Sequence, residues 1–70
     1  MTVKELQEAI RNKRSVLAWH ESSGRWAEYE CVLSITYSEF DGKPQISATL
    51  KDYCGHSVIT VRARDVKYKE

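Results

Sequence analysis

A chain of 70 residues makes one domain with a small core, since folding at this size removes only about 60% of the unfolded surface from water. Its 41% hydrophobic and 30% charged residues place it on the folded side of the disorder boundary, and a net charge of +1 falls short of the strongly basic footprint of a dedicated nucleic-acid binder. Two cysteines permit at most one bridge, which excludes a disulfide-stapled secreted scaffold, and no run approaches the roughly 18 apolar residues needed to span a bilayer. The start Met1-Thr2-Val3-Lys4-Glu5 also lacks the basic and then apolar form of a secretory signal, so the expected setting is the cytoplasm, away from membranes.

The first predicted element is a helix over residues 2–12. Thr2-Val3-Lys4-Glu5 has the capping-box form, in which the Thr2 hydroxyl accepts from the N–H of Glu5 and the Glu5 carboxylate accepts from the N–H of Thr2. Val3, Leu6 and Ile10 recur at helical spacing and Ala9 widens the stripe. Acidic Glu5 and Glu8 come early, basic Arg11, Lys13 and Arg14 late, as the helix dipole favours, and Asn12 is the expected left-handed C-terminal residue.

From Ser15 onward the pattern is that of strands. Ser15 to His20 is β-rich and ends in the turn cluster Glu21-Ser22-Ser23-Gly24. Arg25 to Tyr37 reads as one long strand of mixed parity, with Ala27, Tyr29, Cys31, Leu33, Ile35 and Tyr37 on one face and Trp26 and Val32 on the other; a bulge or bend that turns both halves inward reconciles them. Asp41-Gly42 is a strong hairpin signal, and Lys43-Pro44 suits a strand start. Ile46, Ala48 and Leu50 alternate with polar residues, the β-branched run Val58-Ile59-Thr60-Val61 follows the turn at Gly55, and Ala63-Arg64-Asp65 fits one tight helical turn before Val66-Lys67-Tyr68.

This order of strands and turns is similar to the SH3-like small barrels. Leu17-Ala18-Trp19-His20-Glu21-Ser22-Ser23-Gly24-Arg25-Trp26 and Leu50-Lys51-Asp52-Tyr53-Cys54-Gly55-His56 resemble Tudor-type motifs, although Cys54 intrudes between Tyr53 and Gly55, His56 stands where asparagine is favoured, and the N-terminal helix is an addition. The expected fold is mainly β with one N-terminal helix: a five-stranded antiparallel SH3-like barrel over 15–68, or a strongly bent sheet, in a single domain spanning 1–70. The resemblance further implies an aromatic cage for a methylated lysine or arginine, mapped here onto Trp19 and Tyr53 with Trp26 or Tyr29 as a third wall. A fourth wall is missing, because Leu50 stands where another aromatic would help.

Charge is unevenly distributed. Residues 1–20 carry four basic and two acidic groups, residues 21–42 one and five, and residues 43–70 six and three. The leading expectation is a non-catalytic interaction module for a protein partner, a second copy of the chain included, through an aromatic and charged rim around Trp26, Phe40, Tyr53 and Tyr68. Phe40 enters because a large apolar side chain at a polar loop tip must fold back or meet something else. The competing expectation is nucleic-acid binding, with Lys51, Arg62, Arg64, Lys67 and Lys69 on phosphates and Tyr53 and Tyr68 on bases; the methyl-group reader, with Trp19, ranks behind both. No metal or cofactor is expected: Cys31, Cys54, His20 and His56 lack zinc-ligand spacing. No catalysis is expected either, since no nucleophile, base and orienting group stand out.

Overall fold

The computed structural model describes residues 1–69, except for the side chain of Phe40. Helix α1 (Val3–Asn12) is followed by strands β1 (Val16–His20), β2 (Arg25–Tyr29), β3 (Cys31–Phe40), β4 (Lys43–Lys51) and β5 (Val58–Arg62), a 3-10 turn η1 (Ala63–Asp65), and β6 (Val66–Tyr68). The protein is mainly β with one N-terminal helix, as its patterning implies. The strands form two three-stranded antiparallel sheets, ordered β2-β1-β6 and β3-β4-β5. Neither sheet closes into a barrel, and the described residues form six strands where five were expected.

The extra strand comes from the long segment after Gly24. At Glu30 the chain leaves β1 and joins the second sheet, where the Glu30 N–H donates to the Lys51 carbonyl at 2.9 Å. A second irregularity follows, with a register shift between Val32 and Ser34. The predicted bend therefore exists, but it sorts the side chains differently. Val32 is buried, and Leu33, grouped by parity with Tyr29 and Ile35, bulges out to 46% exposure. Each interruption of the alternation reverses which parity faces the core.

Local chemistry sets the helix ends. Both capping-box bonds are present, Thr2 N–H to Glu5 Oε1 at 2.9 Å and Glu5 N–H to Thr2 Oγ1 at 3.2 Å. Hydrogen bonding from Thr2 to the Glu5 carboxylate, from its backbone N–H foremost and its side chain second, holds that carboxyl below its usual range. At the other end Lys13, not Asn12, takes the left-handed conformation at φ 51°. The N–H groups of Lys13 and Arg14 then bond the carbonyls of Ile10 and Ala9, a Schellman arrangement that satisfies the last turn. Asp41 and Gly42 both have positive φ, the primed-turn geometry that matches the twist of the hairpin between β3 and β4.

One hydrophobic cluster joins the helix to both sheets: Leu6 and Ala9 from α1, Val16 and Ala18 from β1, Tyr29 from β2, Val32 from β3, Ala48 and Leu50 from β4, Ala63 from η1 and Val66 from β6. Leu6 and Leu50 are fully buried, each contributing about 1.5–3 kcal/mol of hydrophobic stabilisation. Polar ties then fix the helix. The Met1 amine donates to the carbonyls of Ala63 (2.6 Å) and Val66 (2.9 Å), and the Tyr68 hydroxyl donates to the Glu5 carbonyl at 2.9 Å. Arg14 lies over the Tyr68 ring, 4.1 Å from its centroid. Burial, and secondarily the Glu8 charge, raises the Tyr68 hydroxyl above its ordinary pKa. No helix among the described residues is long and apolar enough to cross a membrane.

Candidate functional site: the outer face of the first sheet

Strand alternation determines which side chains leave the core. In the first sheet Val16, Ala18 and Val66 point inward, so Leu17, Trp19, Trp26, Glu28 and Lys67 share the outer face; the register pairs Leu17 with both Glu28 and Lys67, and Trp19 with Trp26. Trp19 and Trp26 meet edge to face, with ring centroids 5.5 Å apart, and remain 37% and 41% exposed. Such a pair contributes about 0.5–1.5 kcal/mol beyond its area while leaving apolar surface in water. Lys67 Nζ sits 4.3 Å from the centroid of the Trp26 ring, and its stem extends the apolar patch toward Leu17.

The opposite end of the same face is polar. Glu28 Oε1 and Lys69 Nζ form an ion pair at 2.9 Å, and the Tyr53 hydroxyl donates to Ser15 Oγ at 2.8 Å. The Tyr53 hydroxyl first, and the Lys69 ammonium second, hold the Glu28 carboxyl below the usual carboxylate range. Glu28 in turn raises Lys69 above its ordinary value. The face is therefore bipartite, aromatic at the end where β1 turns into β2 and charge-paired at the end near the 52–57 turn.

This geometry redistributes the residues singled out in the sequence. Trp19 and Trp26 come together, but Tyr53 docks on Ser15, four residues along β1 from Trp19, or about 13 Å at strand rise. Tyr29 is turned into the core, where His20 Nε2 and the Tyr29 hydroxyl share a 2.8 Å hydrogen bond. Burial, then the Asp52 charge, raises the Tyr29 hydroxyl above its ordinary pKa. The aromatic walls of the cage implied by the resemblance thus lie in three places. Tyr68, expected on a binding rim, ties α1 to β6 instead, because Val66 and Tyr68 share the inward parity of that strand. Lys51 pairs with Glu30 at 3.8 Å at one end of the β4–β5 ladder, while Arg62, opposite Ser47 at the other end of that ladder, and Arg64 in η1 are exposed. The side chain of Phe40 lies outside the described residues. Leu17 and Lys67 were missing from the expected rim or assigned elsewhere; the alternation of Ser15 to His20 was the signal that could have placed Leu17 beside Trp19.

The four nitrogen and sulfur ligands considered for zinc are dispersed over different elements. Cys31 begins β3, Cys54 is exposed in the 52–57 turn, His20 bonds Tyr29, and the His56 N–H donates to Asp52 Oδ1 at 3.2 Å. Both cysteines are free, and among the described residues no group of three or more His, Cys, Asp or Glu side chains is gathered around a common point. Comparison of the chain with protein-family models, with curated proteins and with solved structures finds no match.

Proposed function

We propose that this protein is a non-catalytic interaction module that docks a protein partner on the outer face of the first sheet, with Trp19 and Trp26 as anchors. The observation that carries this reading is the exposed edge-to-face tryptophan pair, flanked by Leu17 and covered on one side by the Lys67 stem. Tryptophan is the residue most enriched among those that dominate binding energy, and a pair already held in register by β1 and β2 loses little freedom on binding. The Glu28–Lys69 ion pair supplies a polar border at one end. A partner with an apolar ridge fits this face, and a second copy of the chain is one such partner.

The test compares wild type with Trp26→Ala as baits, alongside sedimentation of the purified protein over a wide concentration range. Proteins retained by wild type and lost by the variant, or a dimer that dissociates in the variant, support the reading. Identical retention together with concentration-independent monomers removes it. Circular dichroism establishes that the variant keeps its fold.

Nucleic-acid binding is the second reading, and the Lys67 ammonium stacked on an exposed tryptophan favours it, since single strands are held by cations beside aromatic faces. The pairing of Lys51 with Glu30 and of Lys69 with Glu28 offsets two of the charges that this reading needs. Quenching of tryptophan fluorescence by single-stranded RNA or DNA that fades as salt rises would move it ahead, because phosphate contacts release counterions.

A further inference from the structure

The β4–β5 register stops at Ser47 opposite Arg62, where the chain turns into η1. Beyond that point β4 continues from Lys43 to Ile46 with no strand partner on the β5 side among the described residues. A cleft of about 420 Å³ opens there, between the start of β4 and η1. Pro44, Ile46 and Ala63 provide apolar surface within it, and Lys43, Arg62 and Arg64 line it as well. No carboxylate lines it, and none of the three cations forms an ion pair among the described residues. This differs from Lys51 and Lys69, each of which faces a glutamate.

We propose that this cleft is a docking site for an acidic peptide segment in extended conformation, separate from the tryptophan face. Charge complementarity determines the sign of the ligand: three cations around one cleft, without an ion pair among the described residues, attract carboxylates, and the two arginines can each take one in a two-pronged hydrogen bond. Spacing indicates a chain rather than a lone anion. Lys43 lies four residues from Ser47, the position opposite Arg62, so the cationic positions are spread over about 13 Å of strand. An extended peptide returns side chains to the same face every second residue, so alternate glutamates match that span. The apolar surface of Pro44, Ile46 and Ala63 then accommodates small apolar residues between them. Pro44 offers no N–H, so carboxylate–cation contacts carry recognition and a continuous backbone ladder does not. A nucleic acid would supply anions at a similar spacing, but among the described residues no aromatic side chain lines the cleft to receive a base.

The experiment is a fluorescence-anisotropy titration of a labelled peptide, Gly-Glu-Val-Glu-Val-Glu, with wild type, with the double variant Arg62→Ser, Arg64→Ser, and with Trp26→Ala. Binding by wild type that weakens about tenfold or more in the arginine variant, and is unchanged in Trp26→Ala, supports the proposal and keeps it distinct from the tryptophan face. A matched peptide with glutamine for each glutamate should not bind. Three results overturn the proposal: no binding of the acidic peptide at low salt, equal binding of the glutamine peptide, or tighter binding of an oligodeoxythymidine that displaces the peptide and needs the same arginines. Both arginines are exposed, so the variant is expected to fold; backbone amide shifts at Lys43 to Ile46 on peptide addition locate the contact in wild type independently.

Discussion

The first sheet, β2-β1-β6, and the second, β3-β4-β5, are built on the same alternation and share one core, yet they present different chemistry to water. Outward positions of the first are Leu17, Trp19, Trp26, Glu28 and Lys67. In the second they include Thr36, Ser47, Thr49 and Thr60, with the Thr49 and Thr60 hydroxyls 3.3 Å apart across neighbouring strands. Hydroxyls on a half-exposed sheet satisfy the preference for β-branched residues and remain at ease in water. Tryptophans satisfy the same preference but leave large rings exposed. The comparison teaches that the second sheet leaves its exposed apolar side chains, Leu33, Tyr37 and Val58, at separate ladder positions, whereas the first holds two tryptophan rings in contact on its outer face.

The largest expected effect comes from the core that both sheets share. Leu50→Ala removes a fully buried side chain and should cost about 2–5 kcal/mol in urea denaturation, a large part of the roughly 3.5–10 kcal/mol expected for a domain of this size. An outer-face change such as Leu17→Ala should cost far less; equal losses would break the assignment of inside and outside. Next comes the helix, which packs on β3 and so supports the second sheet more than the first. Thr2→Ala breaks the capping box and should lower stability by about 1 kcal/mol, seen as a lower thermal midpoint.

A sharper probe of the contrast pairs Trp26→Ala with Thr49→Ala. The first should cost about 0.5–1.5 kcal/mol of stability and abolish partner binding, whereas the second should stay within about 0.5 kcal/mol and leave binding intact. Partner binding that depends on Thr49 and not on Trp26 would reverse the roles of the two faces. The smallest effect is expected at the charged end of the first sheet. The Glu28 carboxyl is held below the ordinary value of 4.5, so its contribution is present above that pH and is lost as the pH falls through its folded value. Glu28→Gln should therefore lower stability slightly at neutral pH, by a small margin because the pair is partly exposed, with the difference from wild type closing as the pH falls and the acid side of the profile correspondingly flatter. Acid profiles that coincide for variant and wild type would show that the ion pair contributes nothing.

Signals confined to a few adjacent residues were the legible ones. Thr2 and Glu5 marked the helix start, Asp41-Gly42 the hairpin, and Ala63-Arg64-Asp65 the 3-10 turn, because a cap or turn is completed by its own neighbours. Even so, the helix end fell one residue late, on Lys13, where the third-turn carbonyls found their donors. Of the candidate site, Trp19 and Trp26 were recognisable as candidate binding aromatics but not as a pair, while Tyr53 and Tyr68 were committed elsewhere by hydrogen bonds to residues 38 and 63 positions away.

By itself the sequence determined the helix, the turns, the order of the β segments and the parity of each uninterrupted strand, since these follow from local propensity and from the period of side-chain alternation. Tertiary structure alone decided that the segment after Gly24 divides at Glu30 between two sheets, that Val32 rather than Leu33 enters the core, and that Lys43 meets Arg62 and Arg64 around one cleft. The physical reason is that strand partners and bulges are selected by contacts between distant parts of the chain. A single displaced residue exchanges the faces of everything that follows it, and no local pattern records where that displacement occurs.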